Sequence, residues 1–223
     1  MFLSLLEKHQ TGFYPILGAS FRKMDFCKIN LSVSSPILDL ESIQTYKGLD
    51  FYIQNELKKN NAKVGIGGYL EKRVLYEQSN NFKGEAENRN IHLGVDWWSV
   101  AGTEIYSPLN GKIHSFQYND LYLDYGATVI LQHELEGVVF YTLYGHLNLA
   151  SLRNLEKGML IEKGTIFTAI GNRNENGGWV PHLHFQIIKD MMGKEGDFPG
   201  VISEKLLAKF SENCPDPNVF FVY

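Results

Sequence analysis

Seven histidines lie along the 223 residues, at His9, His92, His114, His133, His146, His182 and His184. Those whose spacing can do chemistry sit in three short segments: His92-Leu-Gly-Val-Asp96, Tyr144-Gly-His146-Leu147 and Pro181-His182-Leu-His184-Phe185. A neutral imidazole is a metal ligand, and because it titrates near pH 7 it is also a proton carrier. A strand sends alternate side chains to opposite faces, so His182 and His184 project into one cavity while Leu183 and Phe185 enter the core. His92 and Asp96, four residues apart, converge either in a strand or across one helical turn. Catalytic zinc takes three protein ligands from His, Asp and Glu and keeps one position open. Two histidines and one carboxylate satisfy that rule and leave one net positive charge, which polarises a carbonyl and lowers the pKa of bound water.

Each signal has an ordinary explanation as well. With this many histidines a chance His-x-His is expected roughly 0.2 times, and His-x-x-x-Asp arises as easily. His114 and His133 have no partner at ligand spacing and read as hydrogen-bonded structural residues, with a zinc site using one of them as the alternative. His9 reads as a surface residue. Gly94 permits close backbone approach between two candidate ligands. Gly177-Gly178 is either a mobile edge to a substrate groove or a plain turn. Trp97, Trp98, Trp179 and Tyr144 flank the histidine segments and either wall a peptide groove or belong to the core.

The elements that must position these residues are mostly short β-like runs. Gly111–Tyr118, Thr128–His133, Val138–Leu147, Thr165–Ile170 and His182–Ile188 are rich in Val, Ile, Thr, Phe and Tyr. Asn110-Gly111 and Glu136-Gly137 sit where hairpin turns are needed. This spacing predicts a mainly β, antiparallel sheet, because parallel strands require long crossovers. Residues 1–63 differ in character: Leu49, Tyr52, Ile53 and Leu57 recur at helical spacing before the polar stretch 58–63. They read as an α/β N-terminal extension packed on a domain over 64–223, since Phe13, Tyr14, Phe21, Phe26, Phe51 and Tyr52 carry too much aromatic surface to leave in water. Ser203 is placed to cap a short C-terminal helix bearing Leu206, Leu207 and Phe210.

Composition excludes several function classes. Lys+Arg number 21 against Asp+Glu 25, a net charge of -4 with no long run of one sign. That balance disfavours nucleic acid as a partner. The two cysteines, Cys27 and Cys214, form no Cys-x-x-Cys pair, so a thiolate metal site is unsupported, though one disulfide between them is open. The apolar start is interrupted by Glu7, Lys8, His9 and Gln10, and no segment reaches transmembrane length. As written the chain reads as cytoplasmic, or periplasmic or extracellular if an export signal lies outside it.

The order of the segments carries more than any one of them. His92-Leu-Gly-Val-Asp96, then Ala101-Gly102-Thr103 and Ser107-Pro108-Leu109-Asn110-Gly111, then Tyr144-Gly-His146-Leu147, then Gly171 through Pro181-His182-Leu-His184-Phe185, resembles the lysostaphin/LytM type of zinc metallopeptidase over about residues 64–190. The resemblance implies a compact antiparallel sheet with a substrate groove, and one zinc per chain held by His92, Asp96 and His184. It implies that His146 and His182 face the open position as catalytic residues. It also implies hydrolysis of peptide bonds in peptidoglycan stems or cross-bridges. Gly65-Ile-Gly-Gly-Tyr69, Gly196-Asp-Phe-Pro-Gly-Val201 and Cys214-Pro-Asp-Pro-Asn218 are similar to the peptidase-like module found beside class III aminotransferase modules, which need not act on cell wall. A non-catalytic regulatory module of the same fold is the rival from another class. Such degenerate members usually lack a ligand, and all three are present here.

Overall fold

The computed structural model describes residues 2–35, 41–78, 82–83 and 87–222. An eight-stranded sheet dominates, in the order β1 (Phe26–Ile29), β2 (Val64–Gly67), β4 (Val95–Trp98), β11 (His182–Ile188), β8 (Val138–Leu147), β7 (Gly126–Leu135), β6 (Gly111–Asn119), β9 (Leu160–Ile161). Every neighbouring pair is antiparallel except β1 with β2, which run parallel. Two two-stranded ladders complete the strands: β3 (Ile91–His92) with β12 (Val201–Ile202), and β5 (Glu104–Tyr106) with β10 (Ile166–Ala169). The fold is therefore mainly β and antiparallel-dominated, with α1 (Phe2–His9), α2 (Tyr46–Lys59) and α3 (Leu207–Asn213) as minor elements.

Local chemistry explains most boundaries. Glu136 and Gly137 take φ of 51° and 78°, the double positive φ of the tight turn that suits strand twist, and they join β7 to β8. Asn110-Gly111 does not form a hairpin. The ladder partner of β5 is β10 and β6 pairs with β7 and β9, so Asn110 acts instead as a clip: its Oδ1 accepts from Lys163 N and its carbonyl from His133 Nδ1. Thr45 caps α2 by accepting from Gly48 N. Ser203 precedes a 3₁₀ turn over Glu204–Leu206 and makes no side-chain cap, so α3 starts only at Leu207.

Three apolar clusters fill the molecule. The largest joins Leu183, Phe185 and Ile187 of β11 to Trp97, Val129, Leu131, Phe140 and Tyr144, and also takes in Leu6, Phe13, Ile16 and Leu17 from the N-terminal residues. A second brings Ile29, Leu31, Ile43, Leu49 and Ile53 against Trp98, Trp179 and Val201. The third lies under β12 and α3 and contains Leu93, Phe198 and Phe210. Cys27 and Cys214 are both free thiols, which closes the option of a disulfide between them. No helix among the described residues is long and apolar enough to cross a membrane.

Candidate metal and catalytic centre

His92 and Asp96 share neither a strand nor a helical turn. His92 ends β3, Asp96 lies on β4, and Leu93-Gly94 makes the step between them. Backbone bonds on both sides hold His92: its N–H donates to Glu71 O, its carbonyl accepts from Leu70 N, and Leu93 N donates to Gly200 O. Antiparallel pairing sets His184 opposite Asp96 and His182 opposite Trp98. The result is a compact donor set. His92 Nε2 and His184 Nδ1 are 2.9 Å apart, and Asp96 Oδ1 is 3.2 Å from each. These three residues form the one group of His, Cys, Asp and Glu side chains close enough to hold a metal among the described residues.

The fit of this set to a cation follows from where its protons must be. His92 Nδ1 donates to Gly68 O at 3.0 Å, which leaves Nε2 as a bare lone pair. His184 Nε2 donates to Gln186 Oε1 at 3.1 Å. The Gln186 amide is oriented for this role because its Nε2 donates to Pro199 O. His184 Nδ1 is then a lone pair as well, and the carboxylate oxygen is an acceptor. Three acceptors at about 3 Å from one another repel unless a cation lies between them, and donor atoms sharing one tetrahedral zinc at bonds of about 2.1 Å are about 3.3 Å apart. Partners on the outer nitrogen that fix the tautomer are typical of metal-bound imidazoles.

His146 and His182 present lone pairs to the same place. His146 Nδ1 donates to Asn176 O at 2.9 Å and His182 Nδ1 to Val180 O at 2.7 Å, with the two ring centroids 4.2 Å apart. His182 Nε2 lies 3.8 Å from Asp96 Oδ1. His146 reaches this position through a bulge: Ala127 pairs with Leu147 but Val129 with Tyr144, so β8 carries an extra residue, and His146 takes a φ of 63°. Bulges and positive φ at a non-glycine residue re-aim side chains at functional sites.

Burial governs the electrostatics. It pushes His146 and His182 down, and His92 to about 4, keeping the imidazoles neutral as ligands require. Burial pushes Asp96 up, but the neighbouring His92 and Arg73 outweigh it and hold the carboxyl well below its ordinary range.

The structure separates the remaining histidines from this centre. His133 is buried with both ring nitrogens occupied, Nδ1 by Asn110 O and Nε2 by Thr142 Oγ1, while burial lowers it to about 4. His114 contacts Ser115 Oγ, and His9 pairs with Glu136. A histidine kept neutral by the fold but free to protonate when unfolded makes the unfolded state bind more protons. Its stabilisation is complete above the ordinary 6.5 and is lost as pH falls toward about 4. Metal-free protein should therefore lose stability across that window in denaturant melts, and His133→Gln should flatten the slope.

Three supporting residues escaped the sequence reading. Gln186 could have been found by period two, since it continues the face of His182 and His184. Asn176 had no such signal: fully buried, it accepts His146 on its carbonyl and binds Gly178 N and Trp179 N through Oδ1. That fixes Gly177-Gly178 as a structured turn, with φ of 83° and 89°. The third is Arg73, which donates to Asp96 Oδ2 at 2.6 Å. Of the aromatic residues, Trp97 and Tyr144 belong to the main core, whereas Trp98 and Trp179 line the cavity over the histidines. Gly94 is required by contact: a Cβ there would sit 2.6 Å from His184 Cε1 and 2.7 Å from Phe185 O. Gly94→Ala should release metal at lower chelator concentration than the wild type, measured by competition with a chromogenic chelator.

Residues 90–196 match the model of peptidase family M23. This segment is similar to peptidase family M23. It contains all five residues of the centre. No curated protein matches the chain. Among solved structures, a zinc containing peptidase from Vibrio cholerae is 27% identical over 47% of this chain and 29% of its own, with a TM-score of 0.36. LytU is 24% identical over 67% of this chain and 86% of its own, at 0.40. The catalytic domain of the antimicrobial peptidase lysostaphin from Staphylococcus simulans is 22% identical over 60% and 97%, at 0.38. The chain spans under half the length of the Vibrio cholerae peptidase, and the likeness to M23 lies in the sequence of residues 90–196.

Proposed function

We propose that this chain is a zinc-dependent peptidase that hydrolyses peptide or amide bonds in peptidoglycan stem or cross-bridge peptides. The observation that carries the reading is the convergence of four imidazole lone pairs and one carboxylate oxygen, each with its proton placement fixed by an outer partner. His92, Asp96 and His184 would hold one zinc. When bound, the ion would supply Lewis acidity for a substrate carbonyl and lower the pKa of a water. His146, held by Asn176 O, takes a proton from the attacking water and returns one to the departing amine. His182, held by Val180 O, turns its Nε2 lone pair to the same place, where it accepts a hydrogen bond from the attacking water and orients it. Both are buried, so neither is solvated at the moment of transfer.

A cavity of about 250 Å³ opens over this centre, and it favours a second substrate reading. Its walls include Leu31 and Leu49 from the N-terminal residues as well as Tyr76, Trp98, Trp179 and Phe198. An enclosure of that size admits a short, flexible peptide more readily than a cross-linked polymer. In this reading residues 1–63 act as an extension that narrows access to a domain over 64–223. Incubating zinc-loaded protein with purified peptidoglycan and with short peptides, followed by mass analysis, tests both. New amine and carboxyl termini in either substrate support hydrolysis, and no cleavage of any peptide would overturn it.

The extension offers a separate test. It supplies β1 to the sheet and Leu6, Phe13, Ile16 and Leu17 to the main core. Deleting residues 1–63 should therefore lower the thermal midpoint and increase dye binding to exposed apolar surface. A truncated chain as stable as the full one would show the extension to be a passive appendage.

A further inference from the structure

Arg73 is 1% exposed, and the hydrolysis described above gives it no task. Its Nη1 donates to Asp96 Oδ2 at 2.6 Å and to the Tyr76 hydroxyl at 3.2 Å, and its Nε donates to Glu71 Oε2 at 2.6 Å. Glu71 is itself anchored, since its Oε1 accepts from Leu31 N at 3.0 Å. The Asp96 carboxylate is thereby divided. Oδ1 faces His92 Nε2 and His184 Nδ1, while Oδ2 faces the guanidinium.

A stabilising role explains this arrangement poorly. Buried ion pairs are often replaced by apolar residues without loss of stability, because desolvation offsets their attraction. Arg73 Nη2 is moreover buried without a hydrogen-bond partner, a cost that a purely structural device would avoid. A positive charge next to a cation site also repels the cation, so the guanidinium is not there to attract metal. What it does is occupy one oxygen. Carboxylates ligate metals through one or both oxygens, and an oxygen committed to a short charge-assisted bond is removed from that choice.

We propose that Arg73 is a positioning residue that reserves Asp96 Oδ2 and so restricts Asp96 to single-oxygen ligation, keeping one coordination position free for substrate. The inference rests on the assignment of His92, Asp96 and His184 as metal ligands. Glu71 and Leu31 orient the guanidinium, which ties the first strand region of the chain to the coordination of the centre. Lysine would be a poor replacement, because one flexible ammonium cannot span Glu71 and Asp96 as the planar fork does.

Cobalt(II) in the full-length chain reads ligand number directly, since coordination geometry sets the intensity of its visible absorption. Arg73→Met should still bind one cobalt per chain, but with band intensity lowered by about half or more as the second oxygen joins. Its kcat on a cleaved peptide should fall by about 10–100-fold with KM little changed. Arg73→Lys should recover part of the band, and Glu71→Gln should shift it in the same direction as Arg73→Met but less. Wild-type spectra in cobalt-loaded Arg73→Met and Arg73→Lys would overturn the proposal. So would loss of cobalt from folded Arg73→Met, which would show Arg73 holding the centre together instead of setting its oxygen count. If Arg73→Met does not fold, unchanged spectra in Arg73→Lys and Glu71→Gln overturn it equally. Retention of cobalt by His184→Ala would instead sink the ligand assignment beneath it.

Discussion

His184→Ala is expected to abolish stoichiometric zinc binding and, with it, hydrolysis. His184 provides Nδ1, 2.9 Å from His92 Nε2 and 3.2 Å from Asp96 Oδ1, and no other side chain among the described residues completes a group of three donors with those two. Two remaining protein ligands cannot fix a metal in defined geometry, and a methyl group offers no replacement lone pair. Elemental analysis after dialysis should find about one zinc per wild-type chain and under about a tenth of that in the variant. The fold should survive, because Leu183 and Phe185 on the opposite face of β11 carry the packing. Full zinc occupancy in His184→Ala would refute the ligand assignment, and a site centred elsewhere would have to be sought.

His146→Ala should separate chemistry from metal binding. Its Nδ1 is committed to Asn176 O, so the work left for the ring is at Nε2, beside His182 and outside the donor trio. Loss of a positioned acid-base group typically costs about 100-fold or more in turnover. Zinc content should stay at the wild-type level while kcat falls by that factor. Asn176→Ala is a useful companion, since it frees the Gly177-Gly178 turn and with it the carbonyl that orients the ring. Unchanged turnover in His146→Ala, or loss of its zinc, would show that the role had been wrongly assigned.

How far the sequence reached depended on whether a signal was local. Strand β8 runs Val138–Leu147 and β11 runs His182–Ile188, as alternation and β-branched content predict, because both are long and pair on both edges. The face shared by His182 and His184 follows from the period of two alone. Asn110-Gly111 misled because a turn dipeptide also serves as a clip, and only the pairing of β5 with β10 distinguishes the two. The step at Leu93-Gly94 was invisible, since His-x-x-x-Asp spacing is compatible with a strand or a helix and the actual break depends on β12 holding His92. The outer partners were hidden for a stronger reason. Gly68 O, Asn176 O and Val180 O are backbone atoms brought in by tertiary packing, and residue type does not encode them. Arg73, too, sits 23 residues before Asp96, at a separation that no motif marks.

The pairing of β4 with β11 sets a schedule as well as a shape. Residues 95–98 must wait for residues 182–185 before their shared ladder can close. Contacts of such sequence separation demand loop closure before they return any free energy, and they slow folding. On a ribosome releasing the chain from its amino end, the donors at 92 and 96 emerge long before 184. A nascent chain carries at most two of the three candidate donors until residue 184 has been made, so the donor set is completed only after the strands that precede β11 have emerged.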